Sequence, residues 1–232
     1  MITSKQNPSF KLWMKLKTKK YRDQTGLFLV FGDHQIEKAH QYGAIKEIVT
    51  ANLNSLGTKL DPSLMKEIVM TETYVDTFAV CEMKQAERDT RRILFLDDIQ
   101  DPDNLGALLR SAAAFGFLKV IISHRSADFY NEKTIRAAKG AIFDLELIRG
   151  SLSEQMSIYK RLGYRMIGAD AHGQTSPIQS DKLGLVLGNE GHGLSQSVID
   201  CCDGFVRIET SHVESLNVSV AGGILMHQWR NI

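Results

Sequence analysis

From residue 93 onward, short apolar runs alternate with stretches whose apolar positions recur every third or fourth residue. The runs at 93–96, 119–123, 143–148, 164–169, 183–187 and 205–208 have the length of buried strands. The periodic stretches at 104–115, 132–139, 152–162 and 194–199 read as helices, two of them stopped by Gly116 and Gly163. A last helix opens with Ser215 and Asn217 and continues through small and apolar residues to Trp229. Strands alternating with helices predict an α/β fold, a parallel sheet covered on both faces.

The first part of the chain is patterned differently. Residues 4–20 read as one helix in which Leu12, Trp13 and Leu16 share a face, and Gly26 breaks it. An apolar strand at 27–31, a helix at 34–42 and a strand at 45–50 follow as a β-α-β unit. Short elements come next: a helix at 62–66, a strand at 67–70, a helix at 73–78 and a strand at 79–82. Residues 83–92 are then polar and charged. They predict a division into a unit 1–85, a linker 86–92 and a unit 93–232, both units of ordinary domain size.

Composition narrows this picture little. With 43% apolar and 24% charged residues the chain reads as a globular protein, and no apolar run approaches the roughly 20 residues of a membrane span. The basic N-terminus lacks the apolar core of a signal peptide. Cys81, Cys201 and Cys202 have neither metal-ligand spacing nor a disulfide pattern, which points to a cytoplasmic home and no metal. Charge is more informative. The net value of +1 conceals Lys5, Lys11, Lys15, Lys17, Lys19, Lys20 and Arg22 within a segment free of acidic residues. Two readings stand side by side, a solvated helix face and a phosphate-contacting arm.

Three polar stretches fall at the C-terminal ends of predicted strands, where parallel sheets bind ligands. In the first, Asp101 or Asp103 caps a helix that Pro102 opens, and Asn104 stands at its start. Arg110 interrupts that otherwise small and apolar helix and needs a carboxylate or a phosphate as partner. The second is Leu187-Gly188-Asn189-Glu190-Gly191-His192-Gly193. Its glycines let a backbone approach a ligand but run G-x-x-G-x-G, not the G-x-G-x-x-G of dinucleotide sites. Glu190 there is a turn former, a partner for Arg110 or an acid/base group, and His192 reads as a solvent-facing loop residue. In the third, Ile208 leads through a polar turn to Ser215, Leu216 and Asn217; helix capping explains one of the two polar groups, not both.

These residues resemble a known family. Asp103-Asn104-Leu105-Gly106-Ala107-Leu108-Leu109-Arg110-Ser111, Leu185-Val186-Leu187-Gly188-Asn189-Glu190-Gly191-His192-Gly193-Leu194 and Glu214-Ser215-Leu216-Asn217-Val218-Ser219-Val220-Ala221 are similar to the three ordered motifs of the SpoU (TrmH) RNA 2′-O-ribose methyltransferases of the SPOUT superfamily. Residues 4–50 more weakly resemble the N-terminal RNA-binding domain, related to a ribosomal-protein fold, of the rRNA-directed members. The resemblance implies a C-terminal SPOUT domain with a deep trefoil knot, a homodimer formed through it, and S-adenosylmethionine as cofactor. It implies cofactor contacts at Leu187, Gly188, Asn189, Gly191, Ile208, Ser215, Leu216 and Asn217. It puts the family's motif arginine, glutamate and asparagines on Arg110, Glu190, Asn217 and Asn104 as catalytic candidates.

The implied reaction is methylation of a ribose 2′-hydroxyl, in rRNA before tRNA because of the additional N-terminal unit. The rival is a silent RNA-binding assembly factor of the same fold. Arginine is a poor free base, since its pKa exceeds about 12. Binding a phosphate and acidifying the hydroxyl suits Arg110 better, with Glu190 holding either Arg110 or the ribose. Glu209 stands where many relatives carry proline, and Ser211-His212 where glycine is expected.

Overall fold

A computed structural model describes residues 1–69, 75–84, 87–175, 179–213 and 215–230, without the side chains of residues 171 and 172. The N-terminal segment forms two helices, α1 (Pro8–Lys15) and α2 (Lys19–Thr25), where the periodicity predicts one. Asn7 delays the start: it precedes Pro8, is held out of helical conformation, and caps through its side chain at 2.9 Å from Ser9 N. Thr18 is extended and separates the two helices, and Gly26, at φ 66°, ends the second.

Strands β1 (Leu27–Phe31), β2 (Ile45–Thr50), β3 (Thr58–Lys59) and β4 (Thr77–Glu82) form a sheet in the order β1-β4-β2-β3. Helix α3 (Asp33–Gln41) connects β1 to β2, and β4 inserts antiparallel between them. Two expectations fail here. Glu67 and Ile68, read as strand, complete helix α4 (Pro62–Ile68), which Asp61 caps and whose Leu64, Met65 and Ile68 are buried. Thr77 and Phe78, read as helix, belong to β4, with Phe78 opposite both Phe31 and Val49. Residues 70 and 73–74 of those predicted elements lie outside the described residues.

The second sheet is wholly parallel: β5 (Arg92–Leu96), β6 (Lys119–Ile122), β7 (Glu146–Arg149), β8 (Arg165–Gln174), β9 (Leu183–Leu187) and β10 (Gly204–Val206) lie in the order β10-β8-β9-β5-β6-β7. Helices α5 (Pro102–Ala114), α6 (Glu132–Ala138) and α9 (Val218–Gln228) contribute Leu105, Leu108, Ile135 and Leu225 to the core on one face. Helices α7 (Leu152–Arg161) and α8 (Gln196–Ile199) contribute Leu152, Met156 and Val198 to the other. Strand β7 starts later than predicted because Ala141–Phe143 form a buried 3-10 turn. Strand β10 stops at Val206, leaving Ile208 in coil.

The two sheets share a core. Phe28, Val30, Ala79 and Cys81 on one face of the first sheet join the cluster beneath α5 and α6, with the Phe28 ring 4.6 Å from that of Tyr130. At the rim Arg22 is buried. Its guanidinium donates to Asp128 Oδ2 from Nη2 at 2.5 Å and from Nε at 3.1 Å, and to the Leu16 carbonyl at 2.9 Å. Arg22 therefore belongs neither to a solvated face nor to a phosphate arm. Strand order reverses at β5, whose neighbours are β9 and β6, so the loops after β5 and β9 emerge side by side.

Candidate active site

The loop after β5 is anchored by carboxylates. The Asp97 backbone N–H donates to the Leu187 carbonyl at 2.8 Å, and Asp97 Oδ2 accepts from Ser195 N–H at 2.8 Å. Asp98 sits at φ 58°, a left-handed conformation costly for a residue with a side chain. Its buried carboxylate faces Arg125 Nη2 at 2.8 Å and His192 Nε2 at 3.3 Å. His192 is exposed, as expected of a loop residue, but the Asp98 contact is an addition. The sequence signal for these roles was a pair of aspartates directly after a buried strand. Asp101 is the N-cap of α5, accepting from Asp103 N–H at 2.9 Å.

The glycine loop after β9 is a tight turn built by Asn189. Its Oδ1 accepts from Gly191 N–H at 2.8 Å and its Nδ2 donates to the Asp98 carbonyl at 2.8 Å. Asn189 and Gly193 exchange backbone hydrogen bonds at 3.0 Å in both directions. A Cβ on Gly188 would lie 2.4 Å from the Gly193 carbonyl carbon, and Gly193 holds φ 70°. Close approach and left-handed backbone thus account for two of the glycines.

A chain of side-chain hydrogen bonds crosses the three loops. Asn217 caps α9, its Oδ1 accepting from Ser219 N–H at 2.8 Å. That leaves Asn217 Nδ2 to donate to Asn104 Oδ1 at 3.0 Å. Asn104 Nδ2 is then turned toward Glu190 Oε1, which accepts at 2.7 Å. Each amide is oriented by the one before it: the cap demands an oxygen, and the terminal carboxylate can only accept. Residues 104, 190 and 217 are distant in sequence and meet at one point.

Arg110 is not part of this chain. It is exposed on α5, six residues beyond Asn104 and so about 120° around the helix axis. Among the described residues it has no hydrogen-bond or ion-pair partner, so the structural carboxylate considered for it is absent there. Glu190 is bound to Asn104 instead.

The expected cofactor residues fall into two groups. Ile208, Ser215 and Leu216 line a cavity of about 160 Å³, together with Asp170, Val206 and Leu225. Leu187, Gly188, Asn189 and Gly191 shape the neighbouring glycine loop. The groups are joined through α9, where a Cβ on Gly222 would lie 2.7 Å from Leu187 Cδ1 and 2.4 Å from Leu108 Cδ2. Asp170 and Leu225 carry no motif signal, and Thr210 stands in the polar turn of the third stretch. Glu209 is exposed, 3.8 Å from Arg207, and the turn after it is closed by Thr210 Oγ1 donating to the Val213 carbonyl at 2.6 Å.

Residues 91–227 match the model of the SpoU rRNA Methylase family, and residues 7–86 match an MRM3-like substrate binding domain. The chain is 33% identical to the 23S rRNA (guanosine(2553)-2′-O)-methyltransferase RlmP of Bacillus subtilis over 99% of its own length and 98% of that protein's. A TrmH-family structure from Porphyromonas gingivalis superposes with TM-score 0.86 at 28% identity, covering 99% of this chain and 98% of that one. The SpoU methyltransferase AviRb from Streptomyces viridochromogenes, solved in complex with AdoMet, superposes with TM-score 0.83 at 25% identity, over 96% and 97% of the two chains. With more than half its length in the family model and a full-length relative at 33% identity, the chain belongs to the SpoU rRNA methylase family.

Proposed function

We propose that this protein transfers the methyl group of S-adenosylmethionine to a ribose 2′-hydroxyl of rRNA, 23S rRNA in particular. The observation that carries the reading is the Asn217–Asn104–Glu190 hydrogen-bond chain, which ties the three motifs together beyond the C-terminal ends of β5 and β9. The substrate follows the Bacillus subtilis relative, which matches over both units of the chain.

The residues present fit the cofactor. Val206, Ile208, Leu216 and Leu225 give the cavity an apolar wall for a flat ring, and Asp170, Thr210 and Ser215 give it polar groups for a sugar. Gly188, without a side chain, keeps the adjoining loop tight. Ile208, Ser215 and Leu216 would hold the cofactor with support from Leu187, Asn189 and Gly191. When bound, S-adenosylmethionine supplies an electrophilic methyl group.

The chain's own residues prepare the acceptor. Arg110, a permanent cation with no partner among the described residues, binds the target phosphate and lowers the cost of developing charge on the 2′-oxygen. Glu190 is oriented through one oxygen by Asn104 and offers the other to the acceptor ribose. Asn217 fixes Asn104 while capping α9. The reading includes a domain division near residues 86–92. It also includes a trefoil knot, supported by the return of α9 onto α5 and β9. A homodimer through α9 is supported by Val220 and Ile224, which are 51% and 38% exposed on that helix. A cytoplasmic location suits an rRNA substrate; among the described residues no helix is long and apolar enough to cross a membrane.

The test is methyl transfer from labelled S-adenosylmethionine to rRNA and tRNA taken from cells lacking the protein, with site mapping. One 2′-O-methyl site in 23S rRNA is expected, and Arg110→Ala should reduce transfer at least 100-fold. Labelling of tRNA alone would overturn the substrate. No labelling, with no heat of binding at millimolar S-adenosylmethionine, would leave the silent assembly factor.

A further inference from the structure

A second cavity, of about 320 Å³, lies between the two units and takes no part in the site above. This volume is in the range of small-ligand sites. Leu29 and Phe31 of β1 form one wall, and Pro102 and Tyr130 form the other. Lys17, Lys133 and Arg136 also line it, against one carboxylate among the described residues, Glu132, Arg22 being neutralised by Asp128. An aromatic and apolar slot with surplus positive charge has the chemistry of a nucleobase attached to a phosphate.

The position of the cleft suits that ligand. Pro102 is the first residue of α5 and Asn104 the third, about 3 Å further along the axis. The cleft and the hydrogen-bond chain therefore open at the same end of one helix. Lys17 Nζ donates to the Glu67 carbonyl at 2.6 Å and lies in the field of the Glu132 and Glu67 carboxylates, and it has further N–H donors to offer a phosphate; Arg136 Nη2 lies 3.9 Å from Asp103. The walls are held in register by the buried Arg22–Asp128 pair and by the Phe28–Tyr130 ring contact.

We propose that this cleft binds an unpaired nucleotide of the RNA near the one methylated, its base against Phe31 and Pro102 and its phosphate on Lys17, Lys133 and Arg136. The proposal rests on the methyltransferase reading for the identity of the RNA. It adds a second point of recognition that sets which ribose reaches Glu190 and Arg110. Base stacking on the wall tolerates any base, so the site reads an unstacked nucleotide more than its identity.

The experiment compares the unaltered full chain with Lys17→Glu/Lys133→Glu, Phe31→Ala and Phe31→Trp, using 23S rRNA from cells lacking the protein. Filter binding across a salt series and steady-state methyl transfer are both measured. The double lysine variant should bind this RNA at least 10-fold more weakly. Its log K against log salt slope should be shallower by about 1.4, two single-strand phosphate contacts. The KM for RNA should rise, with kcat and the KM for S-adenosylmethionine kept. Phe31→Ala should weaken binding about 10-fold and Phe31→Trp restore it. Lys182→Glu, just before β9 at the opposite end of the sheet, should change nothing.

Unchanged RNA affinity and salt slope in the lysine variant overturn the cleft, even if Phe31→Ala misfolds. Loss of binding in that variant, with an unaltered protein that methylates no site, upholds the cleft and removes the methyltransferase reading. The reverse pattern, full methylation with variants of normal RNA affinity and KM, removes the cleft alone.

Discussion

Removing Asp128 should loosen the whole molecule. The Arg22 guanidinium has a side chain 5% exposed and its partner one 12% exposed, so both charges are largely withdrawn from water. Two of its N–H groups converge on Asp128 Oδ2 and a third is held by the Leu16 carbonyl. In Asp128→Ala the cation stays buried without its counter-charge, which costs about 3–5 kcal/mol. Unfolding entropy near 2.1 cal/mol/K per residue over 232 residues is about 0.5 kcal/mol/K, so the melting temperature should fall by about 6–10 °C. Arg22→Met/Asp128→Leu removes both charges and should recover most of the loss.

Thermal melts followed by tryptophan fluorescence give the readout. Trp13 is buried beside the first sheet and Trp229 beneath the second, so Trp229→Phe and Trp13→Phe backgrounds report the two units separately. Both should melt early in Asp128→Ala, because the pair joins the units. A fall below about 2 °C, or a double variant as unstable as the single one, would refute a desolvated pair that couples the two sheets.

Other expectations follow from the site and its supports. Asn104→Ala breaks both links of the hydrogen-bond chain and should lower kcat/KM for methyl transfer by about 10–100-fold, from about 1.5–3 kcal/mol for a bond to a charged group, while Asn104→Asp, which sets a carboxylate against Glu190, should be worse. A Cβ on Gly106 would lie 2.5 Å from both the Thr134 carbonyl oxygen and Ala137 Cβ. Gly106→Ala should therefore force α5 from α6 and cost about 1–3 kcal/mol or more in urea unfolding. Burial raises the thiols of Cys81 and Cys202 from 9.0 to about 12. Their raised folded-state values contribute stability that is whole below pH 9 and is lost as pH climbs toward 12. Melts between pH 8 and 11 should decline accordingly, and alkylation of native Cys81 at pH 9 should be slow beside that of the unfolded chain. Asp203 is held below the usual carboxylate range: burial opposes this, but Lys160 and the Met166 N–H outweigh it. Its contribution is present above the unfolded value and lost as pH falls through the folded one, so Asp203→Asn should flatten the acid limb of the stability curve.

What was legible in the sequence was local. Strands β5, β6 and β9 were readable because each is a short apolar run bounded by turn residues, and α5 because Asp101 and Pro102 mark its start and Gly116 its end. The three motifs were readable as polar residues where apolar pattern stops. Elements failed where local pattern and tertiary pairing compete. Glu67 and Ile68 were taken into α4 by burial of Ile68, and Thr77 and Phe78 into β4 by pairing with β2.

The sequence by itself determined the α/β alternation, the residues of the three motifs and the glycine geometry of the loop after β9, since periodicity, capping and backbone freedom are properties of near neighbours. Only the tertiary structure decided which side chains meet. It gave Glu190 to Asn104 and not to Arg110, through contacts 86 and 113 residues apart in the chain. It also turned Arg22 from one of seven basic residues into the buried clasp on Asp128, 106 residues away. Charge and polarity are written in the sequence; the partner that satisfies them is set by which surfaces pack together, and hydrogen bonds act only over a few ångströms once they do.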